Sequence, residues 1–446
     1  MTGIIVLMIF VANIVLSVAA PRAFIFLSLI IGEAPYGLVP SLERGGFLPS
    51  FGGFNMSAMV ELSIMFGSLL VIGLNMQRGS SFISKCFPHV VFLLFAAAGV
   101  LWAQNPAYGV RMLAKFSAPL FFLLACTSCL RTRPDVKSFE KAIMWSAWLS
   151  LVLALSNYVF KYAPAFVSNK ITFLTVPGSS GAVFSFHMSV AALLALGTYI
   201  YGKTRRHLFM TLLFSAAVFM AFTRISMVGL IIASSLLVML SPGSKIVRLA
   251  FPLLVGCGFL ILIFVNPTLK TRMFTDPGNV SAGAAASDPS SLLVHVHGSG
   301  RFEAWEIALN RFFYPNPIYG AGTGATQAWF YQGTRAHIGV LHSDYLRILC
   351  ELGVVGLVLF GIAMIGYAGG LVKALRRNKL YDKKYSSVAL ACLLFYLITM
   401  ATDNSLDYVL PFSNYLFCLV AISAFVERMR RVSPVQGRRP SSLSMA

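Results

Sequence analysis

Negative charge is the first scarcity in this chain. Its 446 residues hold 15 Asp and Glu against 35 Lys and Arg, and charged residues make up only 11%. A soluble globular domain carries roughly 25%, so that class is excluded. Polar stretches are scarce too, the longest running from about Asn266 to Val340. Cysteine is sparse: seven residues lie in or beside apolar runs and none in that polar stretch, which excludes a disulfide framework. Cys126-Thr-Ser-Cys129 has redox spacing but no βαβ context, and reads as helix packing. No internal repeat is present, which argues against a transporter built from inverted halves. Ten-residue segments of alternating polarity are absent as well, which excludes an outer-membrane barrel.

What remains is apolar. Hydrophobic residues make up 57% and mean hydropathy is +0.78. Many runs approach or exceed the ~17–20 residues that cross a bilayer as a helix. The expected fold is an all-α polytopic integral membrane protein of 12–13 transmembrane helices. Spans are placed at about 3–20, 22–40, 57–75, 87–104, 109–130, 139–160, 181–201, 207–222, 225–241, 247–265, 343–372, 386–402 and 408–426. Pro21-Arg22 marks either a tight turn between the first two or a kink in one. With no basic n-region, the first 20 residues are taken as a span and not as a cleaved signal.

The net charge of +20 suggests nucleic acid until its distribution is read. Basic residues crowd alternate short loops: Arg131, Arg133 and Lys137; Lys203, Arg205 and Arg206; Lys373, Arg376 and Arg377; then the tail. That is the positive-inside rule repeated, so no nucleic-acid partner is expected. These loops belong in the cytoplasm and the 266–341 loop on the far side. Four segments follow: N-terminal spans 1–204, a core 205–372 holding the loop 266–341, C-terminal spans 373–426, and a basic cytoplasmic tail 427–446.

Chemistry gathers where the loop re-enters the membrane, at Leu341-His342-Ser343-Asp344-Tyr345-Leu346-Arg347 and on to Glu351. On one helix, ~100° per residue puts Asp344, Arg347 and Glu351 on one stripe with His342 opposite. Glu351 then lies ~13 Å along the axis from His342, inside the hydrocarbon layer. Charge at that depth is costly unless paired or facing a polar cavity, which points to a functional site. The alternative is an internal Asp344–Arg347–Glu351 pairing beside an interfacial histidine.

Other cations sit at the same outer face. Arg224, in the short turn Thr223-Arg224-Ile225-Ser226, is either a snorkelling arginine or an anion ligand framed by hydroxyls. Arg111 and Lys115 share a helix face and repel at that spacing, unless an anion or a carboxylate such as Glu61 answers them. In the loop, residues 276–300 read as flexible, and His295-Val296-His297 as ordinary loop with no metal role. Phe302, Trp305, Leu309 and Phe312 recur at helical spacing opposite Glu303, Glu306 and Asn310. They predict an amphipathic helix lying on the membrane or capping the bundle. Arg301 opens that helix, so an arginine and free N–H groups coincide, a combination suited to phosphate. Gly320-Ala321-Gly322-Thr323-Gly324 reads as a loop permitting close approach to a ligand or lipid head group.

These residues resemble the bacterial O-antigen ligase and polysaccharide polymerase family over roughly 205–370. His342-Ser343 followed by Gly353-x-x-Gly356 is similar to the ligase signature. Arg301-x-x-x-Trp305 with Gly320-x-Gly322 resembles the family's large periplasmic loop, and Thr223-Arg224-x-Ser226 the turn that opens the shared domain. Met227 stands where that turn often has a second arginine. The resemblance implies a GT-C-like membrane glycosyltransferase in the bacterial inner membrane, acting at the periplasmic face without metal or other cofactor. The implied donor is an undecaprenyl-pyrophosphate-linked glycan; the acceptor is a second glycan or lipid A-core, with membrane lipid around the site. His342, Arg224 and Arg301 are then the catalytic candidates, and Arg111, Lys115, Arg347, Glu351 and Arg335 the substrate-binding ones. The run His-Ser-Asp-Tyr-Leu-Arg favours a repeat-unit polymerase. A ligase is the alternative, and a lipid-linked glycan flippase the reading from another class.

Overall fold

The computed structural model describes residues 2–33, 56–75, 86–162, 167–168, 171–274, 301–332, 340–379 and 382–432. The architecture is all-α. The helices are α1 (Thr2–Ala19), α2 (Pro21–Ile31), α3 (Met56–Leu74), α4 (Phe87–Gly99), α5 (Pro106–Cys129), α6 (Arg133–Phe160), α7 (Gly181–Gly202), α8 (Arg205–Met220), α9 (Arg224–Met239) and α10 (Lys245–Val265). Loop helices α11 (Pro267–Met273), α12 (Arg301–Ala308) and α13 (Ala325–Gln332) follow, then α14 (Asp344–Arg377), α15 (Lys383–Thr399) and α16 (Asn414–Val432). One two-residue ladder pairs Val167 with Thr172 and Ser168 with Ile171.

Each of the thirteen expected spans contains a helix among the described residues. Among the described residues, six helices are long and apolar enough to cross a membrane: α5, α6, α7, α10, α14, and α16 with the turn before it. α1 and α2 are separate helices, because Ala20 leaves helical geometry and Pro21 opens the second. Side-chain caps set several starts where the sequence offers them. Asn105, Ser180, Ser244, Asn266 and Ser343 each accept a backbone N–H of the first turn, and Thr132 with Asp135 forms a capping box on α6.

α7 lies at the centre, almost wholly buried, against α8, α9 and α15. α10 stands at the opposite extreme: Ile263 is its buried residue, Phe251 and Phe259 pack partly on the bundle, and much of its remaining apolar surface faces outward. The end carrying the basic loops is clamped by ion pairs, Arg22–Asp135 and Arg133–Asp382 at 3.1 Å each and Lys384–Glu140 at 2.7 Å.

α14 departs from the expected continuous span. Gly353 has φ +65° and ψ −167°, so a short helix from Asp344 to Leu352 meets the longer one at a kink. The break frees backbone groups, and the loop after α12 satisfies them. Ala321 and Gly322 donate to the carbonyls of Cys350 and Glu351, while Val354 and Val355 donate to those of Pro317 and Ile318. The glycine-rich turn therefore approaches protein backbone, which corrects the expectation of a ligand-facing loop. A Cβ at Gly320, Gly322 or Gly324 would meet the backbone of Glu351, Ala103 or Tyr108 within 2.7 Å. The amphipathic helix is present over Arg301–Ala308 and extends through a π-turn to Phe313. Its buried stripe is Ala304, Ala308 and Phe312, packed on Phe330, Leu341 and Cys350. It caps the bundle, and Phe302, expected on the apolar face, is 59% exposed.

Candidate active site

A cavity of about 550 Å³ opens between the N-terminal ends of α7 and α9, the α10–α11 corner, α12 and the start of α14. Arg224, Arg272, Arg301 and His342 line it together, with Thr223, Asp403 and Tyr408. Phe173, Phe222, Ile263, Phe274 and Trp305 supply apolar wall.

Three cations from distant parts of the sequence converge here. Arg224 is the first residue of α9 and Arg301 the first of α12. Arg272 rides on α11, a short helix set at a sharp corner by the Asn266 cap and Pro267. Its guanidinium stacks on Phe173, 4.8 Å from the ring centroid. Burial and the neighbouring Arg301 charge push the Arg272 guanidinium below its ordinary value. Three guanidinium groups thus share one partly dry wall, an arrangement chemically suited to an anion.

His342 has φ +51°, the left-handed region, which a non-glycine residue occupies at a cost of ~1–2 kcal/mol. Its neighbours over-determine it. Trp305 Nε1 donates to the Leu341 carbonyl at 2.8 Å, and Asp344 N to the Met400 carbonyl at 2.9 Å. The imidazole is 35% exposed, with Nδ1 3.8 Å from Asp403 Oδ1. Asp403 is itself held by the Asn404 amide at 2.8 Å and by the Tyr408 hydroxyl at 3.2 Å.

The other sequence candidates stand elsewhere. Arg347 is buried and engaged by Asp344 and by Asp407, at 3.0 Å. Glu351 is buried, its carboxylate accepting from Gly324 N at 2.8 Å and Thr326 Oγ1 at 2.5 Å. Neither lines the cavity; both are taken up in holding the loop and the re-entrant turn. Arg111 and Lys115 line a separate space of about 150 Å³ with Glu61, and the carboxylate that answers Lys115 is Asp407 at 2.7 Å. Burial alone would raise the Asp407 carboxyl, but Arg347 and Lys115 hold it well below the usual range. Of the hydroxyls framing Arg224, Thr223 lines the cavity, whereas Ser226 pairs with Ser185 at 2.7 Å. Arg335 lies outside the described residues.

Sequence reasoning missed Arg272 and Asp403. Arg272 carried a signal in the capped Asn266-Pro267 start immediately after a span. Asp403 carried one as an acid in a short outer loop of an acid-poor chain.

A polytopic helical bundle with a cation-lined cavity at a loop–helix junction is the class defined so far. Residues 208–361, about a third of the chain, match the O-antigen ligase family model, Wzy_C. The matched segment runs from α8 into α14 and contains Arg224, Arg272, Arg301 and His342. No curated protein matches the chain. The chain is a multi-pass membrane protein with a glycan-processing enzyme domain.

Proposed function

We propose that the protein is a glycosyltransferase that polymerises lipid-pyrophosphate-linked oligosaccharide repeat units at the outer face of a bacterial inner membrane. The observation that carries this reading is the convergence of three arginines and a histidine–carboxylate pair in one cavity with an apolar wall. The acceptor hydroxyl attacks the anomeric carbon of the donor. The bond from that carbon to the pyrophosphate oxygen breaks, and the hydroxyl proton passes to His342. Arg224, Arg272 and Arg301 take the diphosphate charge, the role a metal would otherwise fill, through charge-assisted bonds in planar geometry. The apolar wall at Ile263 and Phe274, beside the outward-facing α10, suits the prenyl chain of the donor.

The family description favours a second reading with the same donor chemistry, transfer of the finished glycan to lipid A-core or another acceptor. The deciding experiment incubates purified protein with an undecaprenyl-pyrophosphate-linked repeat unit, alone and with lipid A-core. A ladder of longer lipid-linked products without acceptor supports polymerisation. Product formed only with lipid A-core supports ligation, and no product under either condition removes both.

A further inference from the structure

A second cavity, of about 620 Å³, opens between α6 and α8 at the other end of the bundle. Its cations are Lys137, Lys141 and Arg206, and its apolar wall is Met144, Trp145 and Trp148. The same helices run from one cavity to the other. α7 contributes Gly181 to the first and Thr198 to the second, seventeen residues apart or ~26 Å along a helix. That is close to the ~30 Å hydrocarbon thickness of a bilayer, so each cavity sits at the level of one leaflet's headgroups.

Glu140 also lines the second cavity, but its charge is already answered. It accepts from Lys384 Nζ at 2.7 and 2.9 Å, Tyr385 at 2.9 Å and Thr198 at 3.2 Å. Lys384 and Glu140 thus cancel, leaving Lys137, Lys141 and Arg206 as net positive charge over the groove. Lys137 and Lys141 stand one turn apart on α6 and repel, an arrangement that a bound anion relieves. The wall continues along the same helix face. Trp145, Leu149 and Val152, at i, i+4 and i+7, are 64%, 45% and 57% exposed. A free phosphate needs no such strip, but an acyl chain below a phosphate does, and tryptophan rings favour the headgroup level.

We propose that this groove seats the phosphate headgroup of an anionic phospholipid of the leaflet opposite the candidate active site, with its acyl chain along Trp145, Leu149 and Val152. Basic pockets between helices on this side of a membrane protein are suited to such headgroups. The proposal stands independently of the glycosyl-transfer reading, since it shares no residue with the first cavity.

The test is native mass spectrometry of the delipidated full-length protein titrated with phosphatidylglycerol or phosphatidylcholine, for the wild type, Lys141→Gln/Arg206→Gln, and Arg376→Gln as a control. Arg376 is an exposed arginine in the last turn of α14, away from the groove. Phosphatidylglycerol should bind in preference to phosphatidylcholine. The double variant should lose about 30-fold in affinity, at about a factor of five for each basic residue, while Arg376→Gln binds as the wild type. Equal loss in the control, or none in the double variant, overturns the site. Inorganic phosphate titrated against bound phosphatidylglycerol separates the two phosphate sources. Displacement at equal concentration would make free phosphate the ligand and overturn the lipid assignment. In proteoliposomes, phosphatidylglycerol brominated on its acyl chains should quench tryptophan emission more in the wild type than in Trp145→Phe. Equal quenching in both would take the acyl chain off this strip. Both altered cations are exposed, and an unchanged elution profile checks that the fold is kept.

Discussion

Asp403 Oδ1 lies 3.8 Å from Nδ1 of His342, two residues that stand sixty-one positions apart in the chain and meet at the floor of one cavity. At that separation the carboxylate stands beside the ring without a hydrogen bond to it, close enough to orient it once a ligand is bound. In the proposed transfer, Asp403 is a positioning residue and His342 the group that meets the acceptor.

This pairing separates two substitutions. A positioned base contributes ~10²–10⁴-fold, so His342→Ala should lower kcat within that range and leave a residual rate. Asp403→Asn should lower kcat less, with donor KM nearly unchanged and an altered pH–rate profile. An Asp403→Asn variant with wild-type kcat and pH profile would remove Asp403 from this role.

Arg224→Ala and Arg301→Ala should abolish transfer while the protein still inserts, because the diphosphate charge would lose its partners. Arg→Lys at either should keep part of the activity, as charge remains but the planar fork is lost. Arg272→Ala should weaken donor binding. Isothermal titration with a non-transferable lipid pyrophosphate measures each, and full activity of Arg224→Ala would refute its place at the diphosphate.

The buried cluster Lys115–Asp407–Arg347–Asp344 ties α5, α14 and the Asp403 loop together. Asp407→Asn leaves two buried cations short of a partner and should cost about 3–5 kcal/mol, read as a lower melting temperature in detergent. The Asp407 carboxyl is depressed in the folded protein, so its contribution is complete above the ordinary carboxylate range. It is lost only as pH falls through the lower, folded value. Between pH 6 and 8 the Asp407 carboxyl itself should contribute no slope to stability.

Gly353→Ala should be destabilising out of proportion to its size. The residue has φ +65° and ψ −167°, a region that is essentially glycine's and costs others ~1–3 kcal/mol. A Cβ there would lie 2.2 Å from the Ile318 carbonyl oxygen. The loop would lose its seat at the kink, so melting temperature and transfer should fall together. A variant that melts as the wild type would show that the kink is not needed to hold the loop.

The two cavities should face opposite sides of the membrane. Tyr314 is 64% exposed on the capping segment and Lys203 is exposed at the basic end. In a background lacking exposed Cys257, Tyr314→Cys and Lys203→Cys should react with impermeant maleimide from opposite sides. Labelling of both from one side would overturn the sidedness read from the basic loops.

Residue chemistry alone determined the class of fold and pointed to several residues that line the candidate site. Hydropathy is a local property, so each run announced its helix, and basic loops alternated because charge resists crossing lipid. Arg224, Arg301 and His342 were legible because each sits where a polar turn meets an apolar run. Tertiary structure decided which ionisable groups pair deep in the bundle and which line the cavity. Arg347 and Glu351 looked equivalent to His342 along the chain. Yet Asp407 and the Gly324–Thr326 turn, both remote in sequence, take up their charges. Arg272 and Asp403 entered the site for the same reason. A short capped helix and a re-entrant loop bring them across the bundle, and no local periodicity encodes where such segments land.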